Sequence, residues 1–402
     1  MKRSAVISML AGSALFLGLA SSPASAQRTE STFNGHRIIV PDSSHARPGR
    51  HHTNYFFVDS DQPNSNGPNS GDETPGSVAC VYQLVSGPAG CPIATSTTVP
   101  NGGGGAIAIV DAGDYPTAAS DLAAFSTQFG IPAANFKIVY SGAKPPVYSD
   151  WIVEEALDIE WAHAMAPQAK LFLVVSKLCT TTCNTDPTWA AIKLAGKLVA
   201  QNGGGVVSMS FGDAEDKREK NWDKNFTTPG VVYFAASGDS GLGVSIYPGS
   251  SPNVVSVGGT YFNRDKNGKF TSEIYYTGGG GGSISPYEKR PSYQDGVASI
   301  VGTHRGYPDV ASNFCCAAIY VQGGWYSVGG TSWSSPTFAG IVNAAGNKQQ
   351  SSFDELTWLY SELANSTEYA ADFNDITSGD SRCTVGFDQC TGIGSPRTYA
   401  GK

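Results

Sequence analysis

Ser332 stands in the run Gly329-Gly-Thr-Ser-Trp-Ser-Ser-Pro336, where a glycine pair turns the chain and delivers a hydroxyl to a helix whose first turn tolerates proline. At a helix start the unpaired backbone N–H groups and the aligned peptide dipoles favour negative charge. Ser332 could therefore attack a carbonyl while its own N–H steadies the oxyanion that forms. An ordinary helix N-cap is the plain alternative. A serine nucleophile needs a base, usually histidine. The histidines here are poorly placed: His36, His45, His51 and His52 precede a polar stretch, His163 lies in a helical run, and none of these or His304 is followed by Gly-Thr.

Carboxylates offer another base. In Glu154-Glu-Ala-Leu-Asp158, Glu154 and Asp158 stand four residues apart on one helical face. On a surface helix such a pair repels weakly and does nothing; in a cleft the two must share a proton, and their apparent pKa values belong to the pair. Glu155 and Asp150 compete for the same role. A further acid, Asp239, occupies a small-residue turn directly after an apolar strand, Ala235-Ala-Ser-Gly-Asp239-Ser-Gly241. An ordinary Asp turn would look the same.

These residues need a frame, and the chain carries the pattern of one. Short apolar runs at 106–111, 136–140, 170–175, 206–210, 231–236 and 254–257 alternate with helical stretches at 118–129, 150–166, 187–201 and 333–347. That alternation predicts an α/β domain with a mostly parallel central sheet and helices on both faces, its site beyond the carboxyl ends of the strands. Residues 59–77 have the polar, Gly- and Pro-rich composition of a linker, which sets residues 27–58 apart from a main domain over 78–402. Gly runs at 102–105, 203–205 and 278–282 read as turns, one of them along a cleft.

A carboxylate pair on a helix, then Asp239 after a strand, then Gly330-Thr-Ser-Trp-Ser-Ser-Pro336, in that order, resembles the sedolisins, serine-carboxyl peptidases of subtilisin-like fold. The resemblance runs from about Val78 to the C-terminus through Ile109-Val-Asp-Ala-Gly-Asp-Tyr-Pro-Thr117, Val207-Ser-Met-Ser-Phe-Gly212 and Tyr307-Pro-Asp-Val310. It implies Ser332 as nucleophile, Glu154 as general base, Asp158 as its orienting partner and Asp239 as the acid of the oxyanion hole. An acid can donate to an oxyanion only while protonated, whereas the base must be ionised, so both conditions meet on the acid side of neutrality. Ser208, Met209, Ser210, Gly279 and Gly280 are expected along the edges where an extended peptide pairs. The resemblance also implies a calcium loop at Asp375, Ile376, Thr384, Gly386 and Asp388, with oxygen-only ligands suited to a hard cation.

Composition narrows the remaining classes. Lys2 and Arg3 before an apolar stretch ending at Ala24-Ser-Ala26 read as a secretion signal over 1–26, which predicts a secreted or periplasmic protein with no membrane span. Without that signal the net charge moves from -8 to -10, which argues against nucleic acid as a partner. Protein or peptide substrates and a monomer are expected. Eight cysteines in an exported chain suggest disulfides, with Cys80–Cys91, Cys179–Cys183 and Cys383–Cys390 as local pairs; adjacent Cys315 and Cys316 either bridge each other or bond elsewhere.

Two departures from the family are visible. Its members usually carry a large folded prosegment, for which residues 27–77 are too short and polar. Phe211 stands where relatives often have a tryptophan, and a phenyl ring donates no hydrogen bond. Two other readings use the same residues: a subtilisin-type enzyme with Asp111, a histidine and Ser332, and a non-catalytic, calcium-braced binding protein of the same fold.

Overall fold

A computed structural model describes residues 28–46, 51–178, 187–277, 279–346 and 349–402. The expected signal over 1–26, the Cys179–Cys183 pair and Gly278 lie outside them. The central sheet runs in the order Phe270–Tyr275, Val255–Arg264, Val231–Ala236, Gly205–Met209, Ala106–Ala112, Lys170–Ser176, Asn135–Tyr140, and Val310–Asn313 also pairs with Val255–Arg264. Only Phe270–Tyr275 is antiparallel to its neighbour. Each predicted strand and helix is present, with ends shifted by a few residues at most, apart from the run at 254–257, whose strand extends to Arg264.

The inner strands are mostly apolar because both of their faces are covered. Ile107 and Ile109 point into a core shared with the helices Ser149–Met165 and Thr331–Ala345, whereas Ala108 and Val110 meet the helix Pro187–Gln201 on the other side. Full burial of each larger aliphatic side chain contributes roughly 1.5–3 kcal/mol. The helices Ser149–Met165 and Thr331–Ala345 lie against each other at Gly340, where a methyl group would fall 2.7 Å from Met165 Cβ and 3.0 Å from the Ala162 carbonyl oxygen. Among the described residues no helix is long and apolar enough to cross a membrane.

The N-terminal segment does not stand apart. Thr29–Phe33, His36–Val40 and Phe56–Val58 join Gly324–Gly329 and Ala317–Val321 in a second, five-stranded sheet. Composition misleads here because a few buried apolar residues, Ile38, Ile39, Phe56 and Val58, suffice to anchor the segment once a partner edge exists. The supposed linker is tied down too. Asn64 bridges to Trp325, buried Glu73 pairs with Arg264, and the helix Pro75–Val81 crosses the expected boundary at 78, closed by a Thr74/Ser77 capping box.

Disulfides Cys80–Cys91 and Cys383–Cys390 form as expected, and Cys315 bridges to Cys316, one of the two alternatives left open.

Candidate active site

The strand Gly324–Gly329 leads straight into the helix Thr331–Ala345, and the turn between them needs Gly330 at φ 131°, a backbone conformation that L side chains rarely adopt. This turn sets Ser332 in the first turn of the helix, fully buried. Its Oγ donates to the Ser210 carbonyl (3.0 Å) and accepts from the Asn54 N–H (3.1 Å). The Ser332 N–H donates to the Asn54 carbonyl oxygen (3.1 Å).

Glu154 and Asp158 come from the facing helix, both fully buried. Asp158 Oδ1 accepts from the Ser210 hydroxyl (2.8 Å), so Ser210 links the acid to the segment that holds Ser332. Neither Glu154 oxygen has a hydrogen-bond partner in the protein. Burial pushes the Glu154 carboxyl well above the usual range and the Asp111 charge adds to it, while the nearby Ser332 hydroxyl and Asn54 N–H pull the other way. They are near enough to favour the ionised form without a bond of good geometry, and such contacts are often loose before a substrate is engaged.

Asp111, at the end of its strand, completes the cluster. Burial alone pushes it well up, and its charge raises Glu154, Glu155 and Asp158 in turn. Glu155 is also buried but faces Asp111 and Asp114, with no influence from Ser332. Asp150 lies partly exposed in the first turn of the helix. Of the competing acids, Glu154 is the one beside the serine.

Asp239 lies on the other side of Ser332. Its Oδ1 accepts from both the N–H (2.9 Å) and the hydroxyl (2.7 Å) of Thr331, which fixes the carboxyl against the residue preceding Ser332. Its Oδ2 is buried with no protein partner. Burial raises its pKa to about 7 although the Thr331 bonds oppose the shift. Below that pH the group is a neutral acid with one oxygen anchored and a proton to offer from the other.

The histidine-based arrangement finds no support in the geometry. His163 bonds to the Pro132 carbonyl (2.8 Å), His304 to Thr303 and His36 to Asp59, and no histidine among the described residues is hydrogen-bonded to Ser332. Phe211 is buried between His51, at 5.0 Å between ring centroids, and Trp151, at 6.4 Å.

The residues expected along a peptide edge fall in different places. Ser208 and Met209 are inside the central sheet, both paired with Val231–Ala236, and the Ser208 hydroxyl is taken up by Ser335 (2.9 Å). They offer no open edge. Ser210 presents its carbonyl to the site, and an edge for antiparallel pairing begins at Phe211 and Gly212. Gly279 lines a cavity of about 400 Å³ with Asp239, Ser240, Tyr276 and Phe314, whereas Gly280 is buried behind it, with a methyl there falling 2.8 Å from the Gly259 carbonyl oxygen.

In the C-terminal loop, Asp388 accepts from the Thr384, Cys390 and Thr391 N–H groups, and Asp375 from the Gly386 N–H (2.9 Å). Burial lifts Asp388 to about 6, with the Asp375 charge contributing. Two carboxylates close enough to repel are donors of the kind a hard cation takes. Cys383 and Cys390 lie beside Asp388 but are bonded to each other, which removes them as ligands.

No known family model matches the chain. It is 26% identical over 350 residues to sedolisin of Pseudomonas sp. (strain 101), covering 75% of this chain and 57% of that protein. It is 29% identical over 285 residues to kumamolisin of Bacillus sp. (strain MN-32), covering 60% of this chain and 49% of that protein. Tripeptidyl-peptidase 1 of Dictyostelium discoideum matches at 26% over 318 residues, 69% of this chain and 50% of that protein. The chain thus spans about half the length of the curated relatives it matches. The solved structure of Pseudomonas sedolisin, a serine-carboxyl proteinase complexed with two molecules of pseudo-iodotyrostatin, superposes with a TM-score of 0.66 at 22% identity, covering 83% of this chain and 96% of that one. The chain is similar to the sedolisins in sequence, and it shares their subtilisin-like fold.

Proposed function

We propose that this chain is a secreted serine-carboxyl endopeptidase that hydrolyses peptide bonds in acidic surroundings through an acyl-enzyme on Ser332. The observation that carries this reading is the placing of Ser332 between a buried carboxyl cluster and a separately anchored acid, with no histidine bonded to it. Likeness to sedolisin and kumamolisin supports it.

The chemistry follows from the two environments. As the Ser332 hydroxyl attacks the carbonyl carbon, Glu154 takes its proton. Asp158 and Asp111 make a second negative charge on the cluster costly, so the acids share protons and a single negative charge, and Glu154 is the member beside Ser332 able to take its proton. The oxyanion is met by the Ser332 N–H and by the Asp239 proton. Glu154 then returns its proton to the leaving amine, and water repeats the sequence on the ester. The upper limit of the working range is the loss of the Asp239 proton as pH rises through about 7. An extended peptide is held along Phe211 and Gly212, beyond the Ser210 carbonyl.

Calcium belongs to the same proposal as a structural ion. The carboxylates of Asp375 and Asp388 and the carbonyls of Ile376, Thr384 and Gly386 would hold it, and it would neutralise the repulsion between the two acids.

The test is cleavage of casein by the purified protein from acidic to neutral pH beside Ser332→Ala. Activity confined to acid and missing from the variant is expected. Activity centred at neutral pH would favour the histidine-based alternative, and a folded protein inactive at every pH would favour the binding protein.

A further inference from the structure

The N-terminal segment shows where side chains fall when an extended chain lies along the proposed substrate edge. The carbonyl oxygen of Asn54 accepts from the Ser332 N–H (3.1 Å), the donor proposed for the oxyanion. Ahead of it, Thr53 pairs with Phe211 and His52 with Gly212 in antiparallel register. Residues opposite each other in such a pair share a face, and so do residues two apart on one strand. That alternation sets Thr53 and His51 on the face of Phe211, with His51 on the diagonal, a separation that rings can span. The His51 imidazole lies 5.0 Å from the Phe211 ring between centroids and meets the Trp189 indole at 6.3 Å, with the planes at 82°. His51 is 6% exposed, so its ring is enclosed.

The walls of this enclosure are held from elsewhere. Trp189 stacks on Trp222 at 4.9 Å and makes edge contacts with Phe226 (6.3 Å) and Tyr247 (6.1 Å). Tyr247 pairs with Asp213 on Phe211–Ala214, the strand that offers the edge, and its hydroxyl donates to Asp223 (3.1 Å). Phe211 is buried in the same apolar cluster as Trp151, Phe226 and Tyr247, and Trp189 packs against that cluster. The space between Phe211 and Trp189 therefore does not depend on His51, and a ring entering it pays little for ordering the walls.

We infer that this slot is a specificity subsite: the site prefers peptides with an aromatic side chain three residues ahead of the one whose carbonyl Ser332 attacks, and that ring enters between Phe211 and Trp189. This rests on the peptidase reading above. The paired backbone is held whatever its sequence, whereas the ring gains contact with two fixed aromatic walls. An aliphatic side chain fills the space without that geometry, and alanine leaves it to water. Trp189 touches no reacting atom, so its contribution is to binding and is read in KM rather than kcat.

The experiment digests a mixed peptide library with the purified chain at acidic pH and reads the cut sites by mass spectrometry. It then compares kcat/KM on three peptides that differ only in carrying Phe, Leu or Ala at that position. Aromatic residues should be enriched three places ahead of each new C-terminal residue, and the Phe peptide should be favoured over the Ala peptide by about tenfold or more, mainly through KM. Trp189→Ala should bring that ratio towards one; if it fails to fold, Trp189→Leu keeps the apolar bulk and should still lose most of the preference. A Trp189 that only props up the fold would slow all three peptides and leave the ratio as it was. That result, a library cut without regard to this position, or a Leu peptide cut as well as the Phe peptide would overturn the inference and leave the peptidase reading standing. A chain that cuts neither the library nor casein removes the peptidase reading itself, and this inference with it.

Discussion

Two groups of buried acids share this core on opposite terms. Asp309 is fully buried, and its oxygens accept from the Tyr360 hydroxyl (2.8 Å), the Ser256 N–H (2.8 Å) and the guanidinium of Arg305 four residues earlier. In the cluster of Asp111, Glu154, Glu155 and Asp158, by contrast, only Asp158 Oδ1 has a hydrogen-bond partner in the protein. Burial is equal, so burial does not distinguish a structural acid from a candidate for chemistry. The partners do. A charge that is paired and fully bonded is held in the fold, whereas acids left to repel one another have their pKa values raised, which suits them to the proton exchange proposed above.

The largest expected effect is on the unpaired side. Ser332→Ala and Glu154→Gln should each lower turnover by about 10⁴-fold or more while circular dichroism shows a folded protein. Full activity in Glu154→Gln would show that the unpaired cluster has no chemical use. On the paired side, Arg305→Met leaves Asp309 as a lone buried charge and should cost roughly 3–5 kcal/mol of stability in denaturant titrations, with kcat unchanged where the protein is still folded.

Asp239 belongs between the two groups, one oxygen bonded and one free. Asp239→Ala should lower kcat by about 10²- to 10³-fold. Asp239→Asn keeps a donor that does not titrate, so the loss should be smaller and the decline as pH rises through about 7 should fade from the pH–rate profile. Glu155→Gln tests the cost of the cluster. The carboxyl of Glu155 is raised in the folded state, so the unfolded chain loses its proton first and stability falls as pH rises above the ordinary glutamate value. The variant should flatten that fall in thermal melts and melt higher than the unaltered chain at pH 7. The smallest effect is expected at Asp375 and Asp388, where a chelator should lower the melting temperature by a few degrees; an unchanged melt would put that pair with the acids that need no cation.

Much of this was legible in the sequence. Ser332, Asp239 and the Glu154/Asp158 pair sit in local patterns, a glycine turn before a helix, an acid after a strand and a four-residue spacing. The sheet and its helices follow from apolar runs that stay buried on both faces. Asp111 was visible as a strand-end acid, but its place in the carboxyl cluster depends on how two neighbouring layers stack. Asn54 could not be read at all, because the bond from its N–H to Ser332 spans 278 positions and no composition signals it. The polar stretch over 59–77 resembles a linker for the same reason: its anchors, Trp325 and Arg264, are remote in the chain.

Gly340 lies more than two helical turns from Ser332, and the Ala162 carbonyl and Met165 Cβ that it faces are one to three turns beyond Asp158 and Glu154. The gap across which a proton would pass in the proposed mechanism is thus gauged at a distance, by a missing side chain acting as a shim between two rods. A single methyl added there would be a wedge: it would touch no reacting atom, yet change the reach between base and nucleophile, and with it the rate of a step whose chemistry lies elsewhere.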